Sequence, residues 1–134
     1  MPLTLDDMLT ALDRADPDAP ASFAGAHGAT QGHWHVSRVT LARQDHVDCD
    51  GKGSADQEAV LELLDGPPGA PMPLSRLASI LRQSRAALPD AGPAPLQVFH
   101  RSTRSVVDGL KGGAFQITPV HAACRPADRL GCCA

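Results

Sequence analysis

The stretch HWHVSRVTLARQDHVDC, residues 33–49, decides the fold because it has the strongest extended character in the chain. Its valines and its threonine are β-branched residues that pack well on a strand. Side chains alternate between the two faces of a strand, so Trp34 and Leu41 fall on opposite faces although both are apolar. A bulge near residues 37–38 reconciles the two halves, and bulges often re-aim side chains beside functional sites.

The residues on either side complete an α+β pattern. Leu5, Met8 and Leu12 form a helical stripe, with Thr4 and Asp7 as a capping box at its start. The other predicted elements are strands at 21–24, 45–49 and 58–64, a turn at 50–53, a helix at 74–88, a linker at 89–95, and two paired strands at 96–101 and 114–118.

This order predicts one α+β domain over residues 1–118. We expect an antiparallel sheet of about five strands with two helices packed on one face. The Cys-rich tail, residues 119–134, is expected to close over the domain. Strict alternation of strands and helices is missing, which argues against a Rossmann-like parallel sheet.

Composition narrows the classes of function. The net charge is −3 and the isoelectric point is near 6.0, so we expect no nucleic-acid partner and no anionic membrane surface. The N-terminus lacks the positive start and apolar core of a signal peptide, and no apolar run reaches the roughly 18 residues of a membrane span. We therefore expect a cytoplasmic protein, in which the thiols stay reduced.

His33 and His35 are the first candidate ligands. Residues two apart on a strand point to the same side, so both imidazoles converge on one spot. Two imidazoles leave one or two positions of a zinc site for cysteine or solvent. The alternative is that both are ordinary, half-exposed strand histidines beside Trp34.

The four cysteines are the second set of candidates. Three of them, Cys124, Cys132 and Cys133, lie in the last eleven residues, and Cys49 follows the histidine strand. Zinc takes four nitrogen or sulfur ligands, whereas arsenite prefers three thiolates. Cys49, Cys124 and Cys132 could form such a trithiolate, with Cys133 spare. The alternatives are a buried, apolar Cys49 and redox-inert tail thiols.

Other readings of the sequence stay open. A thiol enzyme would use Cys49 as nucleophile with His33, His35 or His46 as base, but no elbow motif or oxyanion glycines surround the cysteine. The acidic residues near Cys49 lack EF-hand spacing and suit a solvated turn. The arginines of the helix at 74–88 could bind an acidic partner, as in a regulatory adaptor, or simply face solvent.

The chain resembles a family of small uncharacterised bacterial proteins. The matching segments are HWHVS at 33–37, VDCDG at 47–51, VLEL at 60–63, CRP at 124–126 and CC at 132–133. Members of that family are often encoded beside arsenic-resistance genes, so the resemblance implies a role linked to metalloids but no mechanism. Asp50 departs from the glycine that the family often has in the turn after Cys49.

The sequence thus favours a binding protein for zinc or arsenite over a thiol enzyme or a regulatory adaptor. Its expected site residues are His33, His35, Cys49, Cys124, Cys132 and Cys133, with the tail thiolates closing over the ion.

Overall fold

The structure, a computed structural model, describes residues 2–25, 28–31, 34–67, 69–111 and 113–120; for residues 28–31 only the backbone is described. The elements in chain order are α1 (Leu5–Arg14), β1 (Ser22–Gly25), β2 (Gly28–Gln31), β3 (Trp34–Val47), β4 (Gly53–Asp65), α2 (Leu74–Ala87), a 3₁₀ turn (Pro89–Ala91), β5 (Leu96–His100), β6 (Thr103–Lys111) and β7 (Ala114–Pro119).

The strands in the described residues form one mixed sheet of seven strands, in the order β2-β1-β7-β6-β5-β4-β3. Two neighbouring pairs, β1 with β7 and β4 with β5, are parallel, and the other pairs are antiparallel. The sheet curls into a half-barrel. The predicted five-stranded antiparallel sheet with two helices on one face is therefore wrong. Strands β4 and β5 run in the same direction, and a parallel pair needs a long crossover connection instead of a short hairpin. Helix α2 is part of that connection.

One core fills the curled sheet. Inner residues of the strands, among them Phe23, Trp34 and Phe115, share a buried cluster with Leu5 of α1 and Leu77 of α2. The two helices thus bury their apolar stripes in the same core as the sheet. Burial of apolar side chains in this cluster is the main stabilising contribution to the fold.

Helix α1 begins where its sequence predicts. Thr4 accepts a hydrogen bond from the backbone N–H of Asp7, whose carboxylate accepts one from the backbone N–H of Thr4, both at 3.0 Å. This confirms the predicted capping box. The arginine face of α2 is tied to α1, because Arg82 donates to Asp13 and Arg85 donates to Asp6. Two of the arginines considered for an acidic partner therefore already have carboxylate partners.

Strands β3 and β4 form the longest hairpin, which confirms strand rather than helix over 58–64. The predicted bulge is confirmed as well, because the register shifts between Val36 and Arg38. Most of the two strands predicted at 33–41 and 45–49 lies in one continuous strand, β3, which ends at Val47, so residues 48–49 belong to the turn. Strand β5 pairs with β4 only from Ala59 to Glu62. The part of the β3–β4 hairpin nearest its connecting turn therefore extends past β5.

Strand β6, like β2, is an element that the sequence prediction missed. It lies between β5 and β7, so the expected pairing of 96–101 with 114–118 is wrong. The turn from β5 to β6 has Arg101 and Ser102 at φ 49° and 63°. Two-residue hairpin turns usually place glycine or asparagine in that left-handed region, so the usual sequence signal is missing.

Candidate functional site

His35 lies on the outer face of the sheet, opposite the core. It is exposed and faces Leu64 across the β3–β4 pairing. Its neighbour Trp34 points inward and is buried, as the alternation of a strand requires. His33, the other half of the predicted imidazole pair, lies outside the described residues.

Cys49 lies at the opposite end of the same hairpin. It is exposed, just beyond the last β3–β4 pair, Val47 with Gly53. With a rise of about 3.3 Å per residue, the strand from His35 to Val47 is about 40 Å long. A metal ion binds ligand atoms within about 2.0–2.6 Å, so His35 and Cys49 of one chain cannot hold the same ion.

Val120, the last described residue, lies at the end of the sheet that carries His35. The backbone N–H of Val120 donates to the carbonyl of Arg104 at 2.8 Å. Arg104 pairs with Phe99, which pairs with Glu62. Glu62 in turn pairs with Arg38, close to His35 on β3. The predicted ligands Cys124, Cys132 and Cys133 follow Val120 and lie outside the described residues.

The residues around Cys49 form a hydrogen-bonded turn. The Asp48 carboxylate accepts from the backbone N–H groups of Asp50 and Lys52, both at 2.9 Å. His46 Nε2 lies 3.1 Å from Asp56 Oδ1 across the hairpin. A cleft of about 460 Å³ is nearby; its lining is Arg43, Gln44, Asp45, Ala55, Asp56 and Gln57. In the part of the chain that the structure describes, no three His, Cys, Asp or Glu side chains are grouped to hold a metal.

A carboxylate clamp at the His35 end of the sheet was not foreseen from the sequence. Asp65 accepts from Arg101 Nε at 2.8 Å and lies 2.9 Å from His100 Nε2. The bond from Arg101 first, and then the contact with His100, lowers the pKa of Asp65 to about 2. The clamp fixes the end of β4 to the β5–β6 turn. More than thirty residues separate Asp65 from His100 and Arg101 in the sequence. Only the pairing of distant strands brings them together, so the clamp could not be predicted from a local pattern.

A second polar network lies on the outer face. Arg38 donates to Glu62, which also accepts from Thr40 Oγ1 at 3.0 Å. The bond from Arg38 is the largest of the effects that hold the pKa of Glu62 below its usual range. Arg104 Nη1 is 3.9 Å from Glu58 Oε2, an ion pair too long for a hydrogen bond.

Comparison of the chain with family models, with curated proteins and with solved structures gives no match. Among the described residues, no helix is both long and apolar enough to cross a membrane. Inferences about function therefore depend on the positions and the chemistry of the residues in this chain.

Proposed function

We propose that the protein binds a soft metal or metalloid ion, zinc or arsenite, at the end of the sheet that carries His35. The proposed ligands are thiolates of the C-terminal tail, joined by His33 and His35 when the ion is zinc. One observation supports this choice above the others: Val120, the last described residue, pairs with Arg104 at that same end. The residue before the tail is therefore at the same end of the sheet as His35 and at the opposite end from Cys49.

The length of the chain limits which thiols can take part. Four strand spacings of about 4.8 Å separate β7 from β3, which gives about 19 Å from Val120 to the row of Arg38. Residues span at most about 3.6 Å each, so Cys124 can extend about 14 Å from Val120 and Cys132 about 43 Å. Both ranges, with the side chains added, are compatible with a site near His35.

Cys49 falls outside this ligand set. It lies more than nine strand residues beyond Arg38, so it is at least about 30 Å from Val120 along the strand direction. Cys124 cannot extend that far, and Cys132 could do so only with the tail almost fully stretched. We therefore propose Cys133, rather than Cys49, as the third thiolate beside Cys124 and Cys132.

The two ions differ in the ligands that they need. Zinc would use the two imidazoles and two tail thiolates, in the tetrahedral arrangement that it prefers. Arsenite would use three thiolates, Cys124, Cys132 and Cys133, and would not need the histidines. The resemblance to a family encoded beside arsenic-resistance genes favours arsenite as the physiological ligand.

The test is the metal and metalloid content of the untagged protein, purified under reducing conditions and measured by elemental mass spectrometry with and without added zinc or arsenite. The variant with His33→Ala and His35→Ala should lose zinc and keep arsenite. Loss of arsenite from that variant would contradict the trithiolate, and a wild-type protein that gains neither ion would end the binding proposal.

A further inference from the structure

Strand β3 forms one edge of the sheet, so one side of its backbone has no neighbouring strand among the described residues. The hydrogen bonds of the β3–β4 turn show which residues point to that side. The backbone N–H of Asp48 donates to the carbonyl of Lys52 across the hairpin at 3.0 Å, so Asp48 faces β4. Residues of an antiparallel pair alternate between facing the partner strand and facing away from it. The odd-numbered residues 41–47 therefore present their backbone N–H and C=O groups to the open side.

The other strand of the hairpin agrees with this alternation. Ala59 lies opposite Leu41, and its backbone N–H donates to the carbonyl of Pro95 at 2.9 Å, on the side of β4 that faces β5. Ala59 therefore points away from β3, and Leu41 points away from β4. We call the outward backbone groups of residues 41, 43, 45 and 47 the free edge. An edge of this kind is a template for another strand unless its side chains prevent pairing.

The side chains along the free edge carry opposite charges on one face of the strand. Arg43 and Asp45 are both exposed, and Val47 beside them is 76% exposed. Arg43 donates to Asp90 through Nη2 at 2.8 Å, but its side chain stays 66% exposed and a guanidinium has five N–H donors, so it can bind a second carboxylate. In the part of the chain that the structure describes, Asp45 forms no ion pair. A strand that brings a cation to Asp45 and an apolar side chain to Val47 would complement this edge.

We propose that two copies of this chain pair through their free edges, antiparallel and with Gln44 on the two-fold axis. In this register Arg43 of each copy lies opposite Asp45 of the other, because both are one residue from the axis. Leu41 lies opposite Val47 of the other copy and covers that exposed side chain. The odd-numbered residues, whose backbone groups are open, are the ones that exchange hydrogen bonds, about eight in total.

The charges select this register over its neighbours. A two-fold axis at residue 43 would place Arg43 opposite Arg43, and an axis at residue 45 would place Asp45 opposite Asp45. Like charges directly opposite each other are destabilising. An axis at residue 42 or 46 leaves both charges opposite uncharged side chains. Among these five registers, only the axis at Gln44 gives Arg43 and Asp45 each an opposite charge.

The pairing needs no ion, so it goes beyond the proposed binding of zinc or arsenite and is tested without it. The first measurement is sedimentation equilibrium of the reduced full chain in the presence of a metal chelator. We expect a dimer. A protein that stays monomeric at its highest soluble concentration would overturn the proposal. A dimer that forms only after zinc or arsenite is added would overturn it too, because an ion would then join the copies.

Exchange of charges tests the contact between Arg43 and Asp45. Arg43→Asp places two aspartates opposite each other twice in the dimer, so the dissociation constant should rise at least about tenfold. Addition of Asp45→Arg to that variant brings opposite charges together again and should recover the dimer. Asp90→Asn is the matched control, because it removes the other partner of Arg43 and leaves the free edge unchanged. An unchanged dissociation constant in Arg43→Asp, or no recovery in the double variant, would contradict the pairing.

A disulfide between the copies tests the register, in a chain where serine replaces the four native cysteines. Gln44 lies opposite itself in a pair that exchanges no backbone hydrogen bonds, where Cα atoms are about 4.5 Å apart, within the range of a disulfide. Gln44→Cys should therefore give a covalent dimer on mild oxidation. Ala42→Cys, on the same face of β3, is the control and should not, because the two copies of residue 42 are about 13 Å apart along the strands. Equal cross-linking of both variants, or none in Gln44→Cys, would show that this register is wrong.

Discussion

The rings of Phe23 and Trp34 contact each other across the interior of the half-barrel, with centroids 5.5 Å apart and planes tilted by 52°. Four strands lie between β1 and β3 in the sheet, so a flat sheet would keep these rings far apart. The contact therefore exists because the sheet curls. Phe115 contacts Phe23 from β7 at 5.8 Å, so three aromatic rings fill the interior.

Truncation of Phe23 should show how much this contact stabilises the fold. Phe23 is 1% exposed, so Phe23→Ala removes a ring that the interior cannot replace, and we expect a loss of about 3–5 kcal/mol in the free energy of unfolding. Phe99→Ala, on the outer face, is the matched control and should cost less than about 1 kcal/mol. Urea denaturation measures both values. Equal losses would mean that the curled interior contributes no more than the surface.

The β5–β6 turn offers a stabilising change. Ser102 has φ 63°, a conformation that costs a residue with a Cβ about 1–2 kcal/mol. Ser102→Gly removes this cost but increases the entropy of the unfolded chain, so we expect a net gain of about 0.5–1 kcal/mol. The measurement is the thermal midpoint by circular dichroism.

A glycine that already has a positive φ provides the control for the Ser102→Gly substitution. Gly51 has φ 78° in the β3–β4 turn, with open space around it. Gly51→Ala should therefore lower the stability by about 1 kcal/mol through backbone strain alone. If both substitutions shift the midpoint in the same direction, left-handed strain does not explain the turns.

The Asp65 clamp should make the free energy of unfolding depend on pH. The folded pKa of Asp65 is about 2, below the ordinary value of an aspartate, so the folded state favours the charged form. The stabilisation is complete above about pH 4 and is lost as the pH falls through about 2. Asp65→Asn should therefore be less stable than the wild type at pH 7, and the difference should shrink between pH 4 and pH 2.

Thermal unfolding of both proteins from pH 7 to pH 2 measures this difference. Asp56→Asn is a control at the far end of the hairpin, because it removes a carboxylate that the β5–β6 turn does not contact. A difference between wild type and Asp65→Asn that stays constant down to pH 2 would show that the clamp does not lower the pKa of Asp65.

The separation of Cys49 from the tail gives a prediction about arsenite. Cys49→Ser should keep the wild-type stoichiometry and affinity, since the thiol is at least about 30 Å from Val120 along the strand direction. Cys124→Ser should weaken arsenite binding by at least about tenfold, because only two thiolates remain for an ion that prefers three. Isothermal titration of the reduced variants measures both. A large loss in Cys49→Ser would move the site to the hairpin end.

Local patterns in the sequence predicted several elements well. The capping box of Thr4 and Asp7 and the leucine stripe of α2 depend on residues three or four apart, so the sequence contains them whole. The bulge near Arg38 was visible too, because a break in a two-residue period is a local signal. These predictions needed no knowledge of the neighbouring strands.

Contacts between distant residues were not predictable in this way. The turn at Arg101 and Ser102 lacks glycine, so β6 went unrecognised and two strands were paired wrongly. The Asp65 clamp depends on which strands are neighbours. No pattern within a single segment carries that information.

Side-chain chemistry and short-range periodicity were enough to predict the helices, the extended stretch at β3 and the candidate ligands. Long-range pairing was needed to show that β4 and β5 run parallel, that the sheet curls, and that His35 and Cys49 lie at opposite ends of one hairpin. The physical reason is that strand pairing and curvature follow from burying the whole apolar surface at once. A strand of fourteen residues then keeps its two ends apart, however close they look in the sequence.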